Sequence, residues 1–487
     1  MKPYALLLAT VAASLPAALS AAENRELAEL RQQIEQMKRD YEQRIQGLEA
    51  RLKKAEAAVK QALPAPVKTE AQESALDRAV REAFTPIPSE QPPTTTTEIG
   101  SGRLESAAVR LIDVSFNTLV AAGWSTEPNE VIEELQGGNH DPRRRGFTLQ
   151  QGELGLKGAV DPYFTAESYI VFNDQEVELE EAFLTTTALP YGLQLEAGFF
   201  FTEFGRINPR HPHAWHWIDQ QVINTRIFGA EGSRAAGFRL GWLMPAPWFS
   251  ELHVGAQDPT NDTLVSFLGA GHVHGEEEGG EEEGVGGFAI DKQDIDKVSD
   301  LVYLARWVNA WDLSRTSSTQ IGLSALHGPN TTGDRGDTWI YGADLVFKWR
   351  PENNFRGWPF VILETEAMSR DYDVDQANAN FRVGETDNRL RDWGLYSQLL
   401  YGFRLRWAAG LRFEYASGSG TGEEVRNEDP LRADRYRISP LLVYHPTEFS
   451  RLRLQYNYDD ADHLAEDAHS VWLGVEILYG AHAAHTY

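Results

Sequence analysis

The chain has 487 residues, no cysteine and a formal net charge of −27. Without cysteine there are no thiolate metal sites and no cysteine nucleophile. The acidic balance argues against a nucleic-acid partner, which wants a basic face, and favours a surface that concentrates cations.

In chain order, Lys2 precedes an apolar run from Tyr4 to Leu19 and then the small residues Ser20, Ala21 and Ala22. Residues 1–22 read as a secretory signal peptide; the run is shorter than the roughly 20 residues a spanning helix needs. Over 23–63, Leu27, Leu30, Ile34, Met37 and Tyr41 alternate spacings of three and four, and Ile45, Leu48, Leu52, Ala55 and Val59 continue after a phase slip. This a/d seam predicts a coiled coil, with a lone solvated helix as the alternative. The small Ala knobs are weak alone, so the segment is expected to self-associate, as a trimer. Residues 64–102, rich in Pro and Thr, predict an extended linker.

From 103 to 487 the helical period disappears. In Arg451 to Asp459 every second residue is apolar, and Trp407, Leu411, Phe413 and Tyr415 alternate with Arg406, Arg412 and Glu414. Val471, Leu473, Val475, Ile477 and Tyr479 form one face of the last such segment. One apolar and one charged face suit a strand with lipid outside and water inside. About 16 segments are legible, from 108–122 to 469–479. Long connections (123–145, 205–234, 258–299) alternate with brief turns such as Val160-Asp161-Pro162 and Pro245-Ala246-Pro247. A soluble sandwich has no reason to alternate loop length. The expected fold is therefore all-β: a transmembrane up-and-down antiparallel barrel of about 16 strands, with both chain ends and the coiled coil in the periplasm of a Gram-negative envelope.

Three places could carry chemistry. The first is the connection after the fifth segment, where His211, His213, His216 and Asp219 lie within nine residues. Imidazole nitrogen with carboxylate oxygen suits zinc. The competing reading is an inward-folded constriction loop packed by Trp215 and Trp217. The second is His272, His274 and Glu276, opening the acidic, glycine-rich tract that runs to Gly284. Such tracts hold divalent cations loosely, or merely keep a loop acidic and solvated. These five histidines are expected at the extracellular mouth. The third is the lumen. By alternation Glu196, Glu364, Glu366, Arg404, Arg406, Arg412, Glu414, Arg451, Arg453 and Glu476 point inward, either setting selectivity or stiffening the wall as an electrostatic network. No nucleophile elbow, His-Glu-x-x-His pair or phosphate loop is present, so the chain reads as no enzyme.

Several segments carry a family resemblance: Gly146 to Leu154, Asp161-Pro162-Tyr163-Phe164, Glu178 to Phe183, Gly198 to Gly205 and Asn208 to Trp215. Together they resemble the porin-like family of zinc-regulated outer-membrane receptors, itself similar to the phosphate-selective porins. The resemblance covers most of the chain after Arg103. It implies a 16-stranded trimer, often with an N-terminal coiled coil, and zinc-linked uptake. Energy-coupled receptors carry a plug and about 22 strands, and only a helix and a linker precede this barrel. The expected function is passive diffusion of small ions or solutes, favouring divalent cations. No cofactor is required, Zn²⁺ being a ligand or transported ion. The expected partners are outer-membrane lipid, lipopolysaccharide and two further copies. The alternative is a non-conducting barrel that binds metal at the surface or tethers the envelope through its coiled coil.

Overall fold

The structure, a computed structural model, describes residues 112–174, 176–269, 285–288, 290–291, 293–375, 389–420 and 429–480. The signal segment, coiled coil and linker lie outside these residues, as do His272, His274 and Glu276. No helix among the described residues is long and apolar enough to cross a membrane.

Sixteen antiparallel strands form one closed barrel. They are β1 (Ile112–Ser125), β2 (Gly146–Ala159), β3 (Phe164–Phe172), β4 (Val177–Thr186), β5 (Leu193–Phe201), β6 (Arg234–Leu243), β7 (Phe249–Gln257) and β8 (Val302–Asp312). The second half is β9 (Ser317–Pro329), β10 (Asp337–Trp349), β11 (Phe360–Asp373), β12 (Arg389–Arg404), β13 (Trp407–Ser419), β14 (Arg435–Thr447), β15 (Ser450–Ala461) and β16 (Ala468–Gly480). Neighbours in sequence pair throughout, and β1 closes on β16 from Ser115↔Gly480 to Ser125↔Ser470. Closure leaves no sheet edge, the condition for a strand structure in hydrocarbon.

All sixteen expected segments are strands, within a few residues at their ends. The largest difference is β11, whose segment is legible in the sequence over 358–368 but which is paired to Asp373. Its extra turns carry outward Asp371 and Asp373, which bind Arg391 and Arg389 of β12. Cross-strand ion pairs continue the ladder where apolar alternation has ended.

The alternation sorts faces as read. Leu452, Leu454, Tyr456, Leu411, Phe413, Val471 and Leu473 face outward, while Arg453, Gln455, Arg412, Glu414 and Glu476 are buried inside. Arg404 and Arg406 are the correction: both are exposed, at the tight turn between β12 and β13. Arg406 takes a left-handed conformation there, φ 70°. Arg404 ends β12 just past a register shift between Gly402/Arg404, which resets the parity, and Arg406 lies in the turn beyond it.

Four register shifts interrupt the ladders of the described strands, and two of them bring adjacent polar residues to the lumen face. The β1–β2 register shifts between Leu119/Val120, leaving Gln150 without an opposite residue. The β3–β4 register shifts between Tyr169/Ile170, leaving Glu180 the same way. A bulge lets adjacent side chains share a face. Gln150 and Gln151 are accordingly both buried, as are Glu180 and Glu181.

An outward leucine at mid-strand should tolerate no charge in a bilayer. Leu411→Arg is expected to weaken folding into lipid vesicles by about 2–4 kcal/mol, read from reversible denaturant unfolding. An equal cost for arginine at exposed Leu431, in a connection, would contradict the assignment of faces.

Candidate functional site in the lumen

The connection 202–233 between β5 and β6 turns inward and crosses the lumen. Its entry needs glycine: Gly205 has φ +64°, and a Cβ there would stand 1.7 Å from Glu366 Oε1. The next amide, Arg206 N–H, donates to that carboxylate at 2.9 Å. The Arg206 and Arg210 guanidiniums meet Glu364 at 3.1 and 3.3 Å.

Further along, the backbone is irregular, so its polar groups require side-chain partners from the wall. Arg451 donates to the His213 carbonyl at 2.8 Å, and Arg453 to the carbonyls of Trp215 and Trp217 at 3.2 and 2.7 Å. Ile218 N–H donates to Gln455 at 2.8 Å, and Trp217 Nε1–H to the Ser439 carbonyl at 2.9 Å. Gly410 leaves room for the Trp217 ring, which a Cβ would approach to 2.9 Å.

Asp219 is the centre of this network. Arg412 and Gln455 donate to one oxygen at 2.5 and 2.7 Å, and Arg437 and Asn457 to the other at 3.0 and 2.8 Å. Burial raises its pKa, but the Arg412 and Arg437 guanidiniums outweigh that and hold the carboxyl well below its usual range. The nearby Asp141, which accepts from the Gln220 and Gly138 amides, is pushed up to about 7 by burial and by the Asp219 charge. After Asp219 the connection forms helix α2 (Val222–Phe228), whose first amide donates to Glu414 at 2.7 Å. Phe204, Ile223 and Phe228 then pack on inward Leu326, Ile340 and Met368. A second short helix, α1 (Asn129–Leu135), comes in from the β1–β2 connection, and its Ile132 meets Ile218 and Trp472.

The four expected metal ligands of this loop separate into three places, none at the mouth. His211 and His213 meet Glu153 of β2, Nδ1 to Oε2, at 3.2 and 3.1 Å. His211 Nδ1 also lies 2.8 Å from Glu180, and its Nε2 2.8 Å from Glu181. His216 stands by Glu364, at 3.8 Å. Asp219 is taken up by arginines. Burial opposes charge on His211, but Glu180 and Glu153 together hold its pKa well above the ordinary value. Burial wins at His216, pushing it down to about 4 against Glu364.

Of the expected pore-lining residues, Glu196, Glu364, Glu366, Arg412, Glu414, Arg451, Arg453 and Glu476 are inward and buried. Each is engaged: Glu196 by Arg239, Glu476 by Arg451 and Arg453, and the rest by the inward loop or its anchors. Sequence reasoning missed Glu153, Glu180 and Glu181, which the bulges conceal. It also missed Arg437, which the alternation of Arg435 and Arg437 with Tyr436 and Ile438 does reveal.

The loop does not fill the whole section. A cavity of about 760 Å³ remains at the short-turn end, lined by Arg206, Lys348, Ser318, Gln320, Trp248 and Asp312.

No protein-family model matches the chain. A protein of Aquifex aeolicus (strain VF5), described as uncharacterized, is 27% identical over 360 residues, covering 71% of each chain. Among solved structures, the barrel is similar to the outer membrane channel DcaP of Acinetobacter baumannii, with TM-score 0.46, 13% identity, 76% of this chain and 97% of that one. It is also similar to OprB of Pseudomonas putida, with TM-score 0.46, 11% identity, 78% and 96%. The anion-selective porin from Comamonas acidovorans gives TM-score 0.45, 8% identity, 76% and 99%.

The absence of cysteine permits a single spin label at Ala214→Cys to report the loop. Asp219→Ala strips a carboxylate from two buried guanidiniums and is expected to destabilise the docked loop by about 3–5 kcal/mol. The label should become mobile, and trypsin should cut after Arg206 or Arg210 within an intact barrel. The pH dependence has a definite sign in metal-free protein. His211 has a raised pKa when docked, so its contribution is fully present below about 6.5, the value of a free imidazole. It is lost as pH rises through the raised docked value. The label should therefore stay immobile at neutral pH and loosen on the alkaline side, and a label that stays immobile there would contradict the assignment; loosening on acidification below about 6.5 reports instead the burial of neutral His216, held down to about 4.

Proposed function

We propose that this protein is an outer-membrane channel for passive diffusion of small solutes, with the 202–233 loop as its constriction. One observation carries the reading most: the lumen wall is charged and pins an inward loop, yet a cavity of about 760 Å³, lined by polar and apolar side chains alike, stays open beside it. The outward apolar face of the closed barrel supports a place in a bilayer. Long connections then lie outside the cell and short turns in the periplasm. The proposal includes a homotrimer, contact with lipid and lipopolysaccharide, and a preference for divalent cations such as zinc. The net charge of −27 supports that preference, as do the buried carboxylates facing His211 and His213.

A second reading has a specific observation in its favour. Phe204, Ile223, Phe228, Leu326, Ile340 and Met368 form a buried apolar cluster across the lumen, as in a filled, non-conducting barrel. Such a barrel would bind metal or tether the envelope through residues 23–63.

Planar-bilayer recording of the purified full-length protein separates the two. A channel should give discrete, ohmic steps, and Asp219→Ala should raise their size several-fold by freeing the loop. Silent bilayers with both proteins, at densities where a general porin conducts, would leave the filled barrel as the function.

A further inference from the structure

The carboxylates around His211 are unusual in their company. Glu153 and Glu180 are 1% exposed and Glu181 is 7% exposed. The ion pairs these three make among the described residues are all to imidazoles: His211, His213 and, at 4.0 Å, His140 with Glu180. Elsewhere in the lumen the buried carboxylates Asp219, Glu364, Asp459 and Glu476 each have an arginine partner. Here there are three carboxylates, and among the described residues no guanidinium or ammonium is paired with them.

The hydrogen-bond count is also short. His211 Nδ1 carries at most one proton, yet carboxylate oxygens of both Glu153 and Glu180 lie within 3.2 Å of it. Glu180 Oε2 is buried, 2.8 Å from Nδ1, and competes with Glu153 Oε2 for that single proton. Glu153 Oε2 is shared between two imidazole nitrogens, at 3.2 and 3.1 Å, and with the Gln151 amide at 3.2 Å. A buried carboxylate oxygen without a donor is costly, and a cation relieves it where a second proton has no nitrogen to sit on.

We propose that Glu153, His211 and His213 form one divalent-metal site, with Glu180 and Glu181 supplying the remaining negative charge. One ligand atom from each of the three lies within 4.8 Å of the others. Imidazole nitrogen mixed with carboxylate oxygen selects a borderline ion of the zinc type, whereas calcium and magnesium prefer all-oxygen sets. The two histidines belong to the inward loop and Glu153 to the wall, so the ion fastens the constriction to the barrel. Binding displaces the His211 proton to solvent. The site gives the proposed divalent-cation preference a location, and it can stand or fall apart from conduction.

The test is calorimetric titration of Zn²⁺ into the chelator-treated, full-length protein folded in detergent, with Co²⁺ absorption as a second probe. Wild type should take up one equivalent that His211→Ala/His213→Ala lacks. Glu153→Gln, which keeps shape and loses charge, should weaken that equivalent by more than the roughly 10–100-fold that loss of an outer partner costs. His216→Ala should keep it, since His216 stands apart by Glu364. Folding of each variant is checked by the mobility of the unheated barrel on gels, and the Co²⁺ spectrum of wild type needs no variant. Equal uptake by folded wild type and double variant, or no uptake by wild type, overturns the site. Bilayer conductance measured with chelator present judges the channel separately: uptake without conductance keeps the site and removes the channel, and conductance without uptake does the reverse.

Discussion

The buried carboxylate of Asp219 is the point on which the interior depends. Four side-chain donors from β13, β14 and β15 converge on its two oxygens, and Arg412 also reaches its carbonyl at 3.0 Å. An irregular segment inside a barrel has no ladder of its own, so every amide and carbonyl it brings must be met by the wall. Around Asp219 that is what the inward residues do: Gln455 takes the Ile218 amide, Glu414 the Val222 amide, and Arg453 two tryptophan carbonyls. The wall charges and the loop backbone are two halves of one structure, and neither is satisfied in a dry lumen without the other.

The bulges at Gln150 and Glu180 make the other half of the anchor. A regular strand presents one side chain in two to the lumen. The bulges present Gln150 with Gln151, and Glu180 with Glu181, concentrating polar groups where strands are short. Gln150 donates to the Ile218 and His140 carbonyls, at 3.0 and 2.6 Å, holding both inward connections at once. The carboxylates meet the histidine pair from the far side of the lumen. The loop is thus held by arginines at one end and by acids at the other, and its own charges match: Asp219 toward the arginines, His211 and His213 toward the acids.

The fold was legible because its signal is local. Period-two alternation, turn residues and connection lengths are properties of neighbouring residues, and they sorted Leu411 from Arg412 and Leu454 from Arg453 without knowledge of the rest. The site was legible only in part, because its partners are distant. Alternation could place Glu476 in the lumen but could not show that Arg451 and Arg453 neutralise it. Asp219 had the chemistry of a ligand and the right distance along the chain from His216, yet arginines of β13 and β14 and side-chain amides of β15 surround it. The bulges erased the signal at Glu153, Glu180 and Glu181, since an extra residue resets the parity on which the reading relies. Arg404 failed in the same way, past the register shift between Gly402/Arg404, and Arg406 because parity was carried into the turn. The coiled coil and the acidic tract with His272, His274 and Glu276 lie outside the described residues, so their reading rests on sequence.

The distribution of anchors determines which residues a solute would meet. The loop's charged anchors lie mainly on β2, β4 and β11–β15, where the conspicuous arginines and glutamates are, while its apolar side chains pack on β9 and β10 as well. The cavity lies instead along β7–β10, between the wall and Arg206. On the channel reading, Arg412, Arg451 and Arg453 are structural, already spent on the loop, and selectivity belongs to less conspicuous groups. Lys348 and Arg206 face the cavity, and Glu364 stands behind them bound to Arg206 and Arg210. Asp312 lines the cavity too, and Glu364 neutralises Arg206, so the charge there is mixed. A divalent ion is better received at the carboxylate–histidine cluster across the loop, where it would act on the constriction rather than pass by it. Cation binding and solute passage are thereby assigned to opposite sides of one loop, a separation that a count of lumen charges from sequence does not reveal.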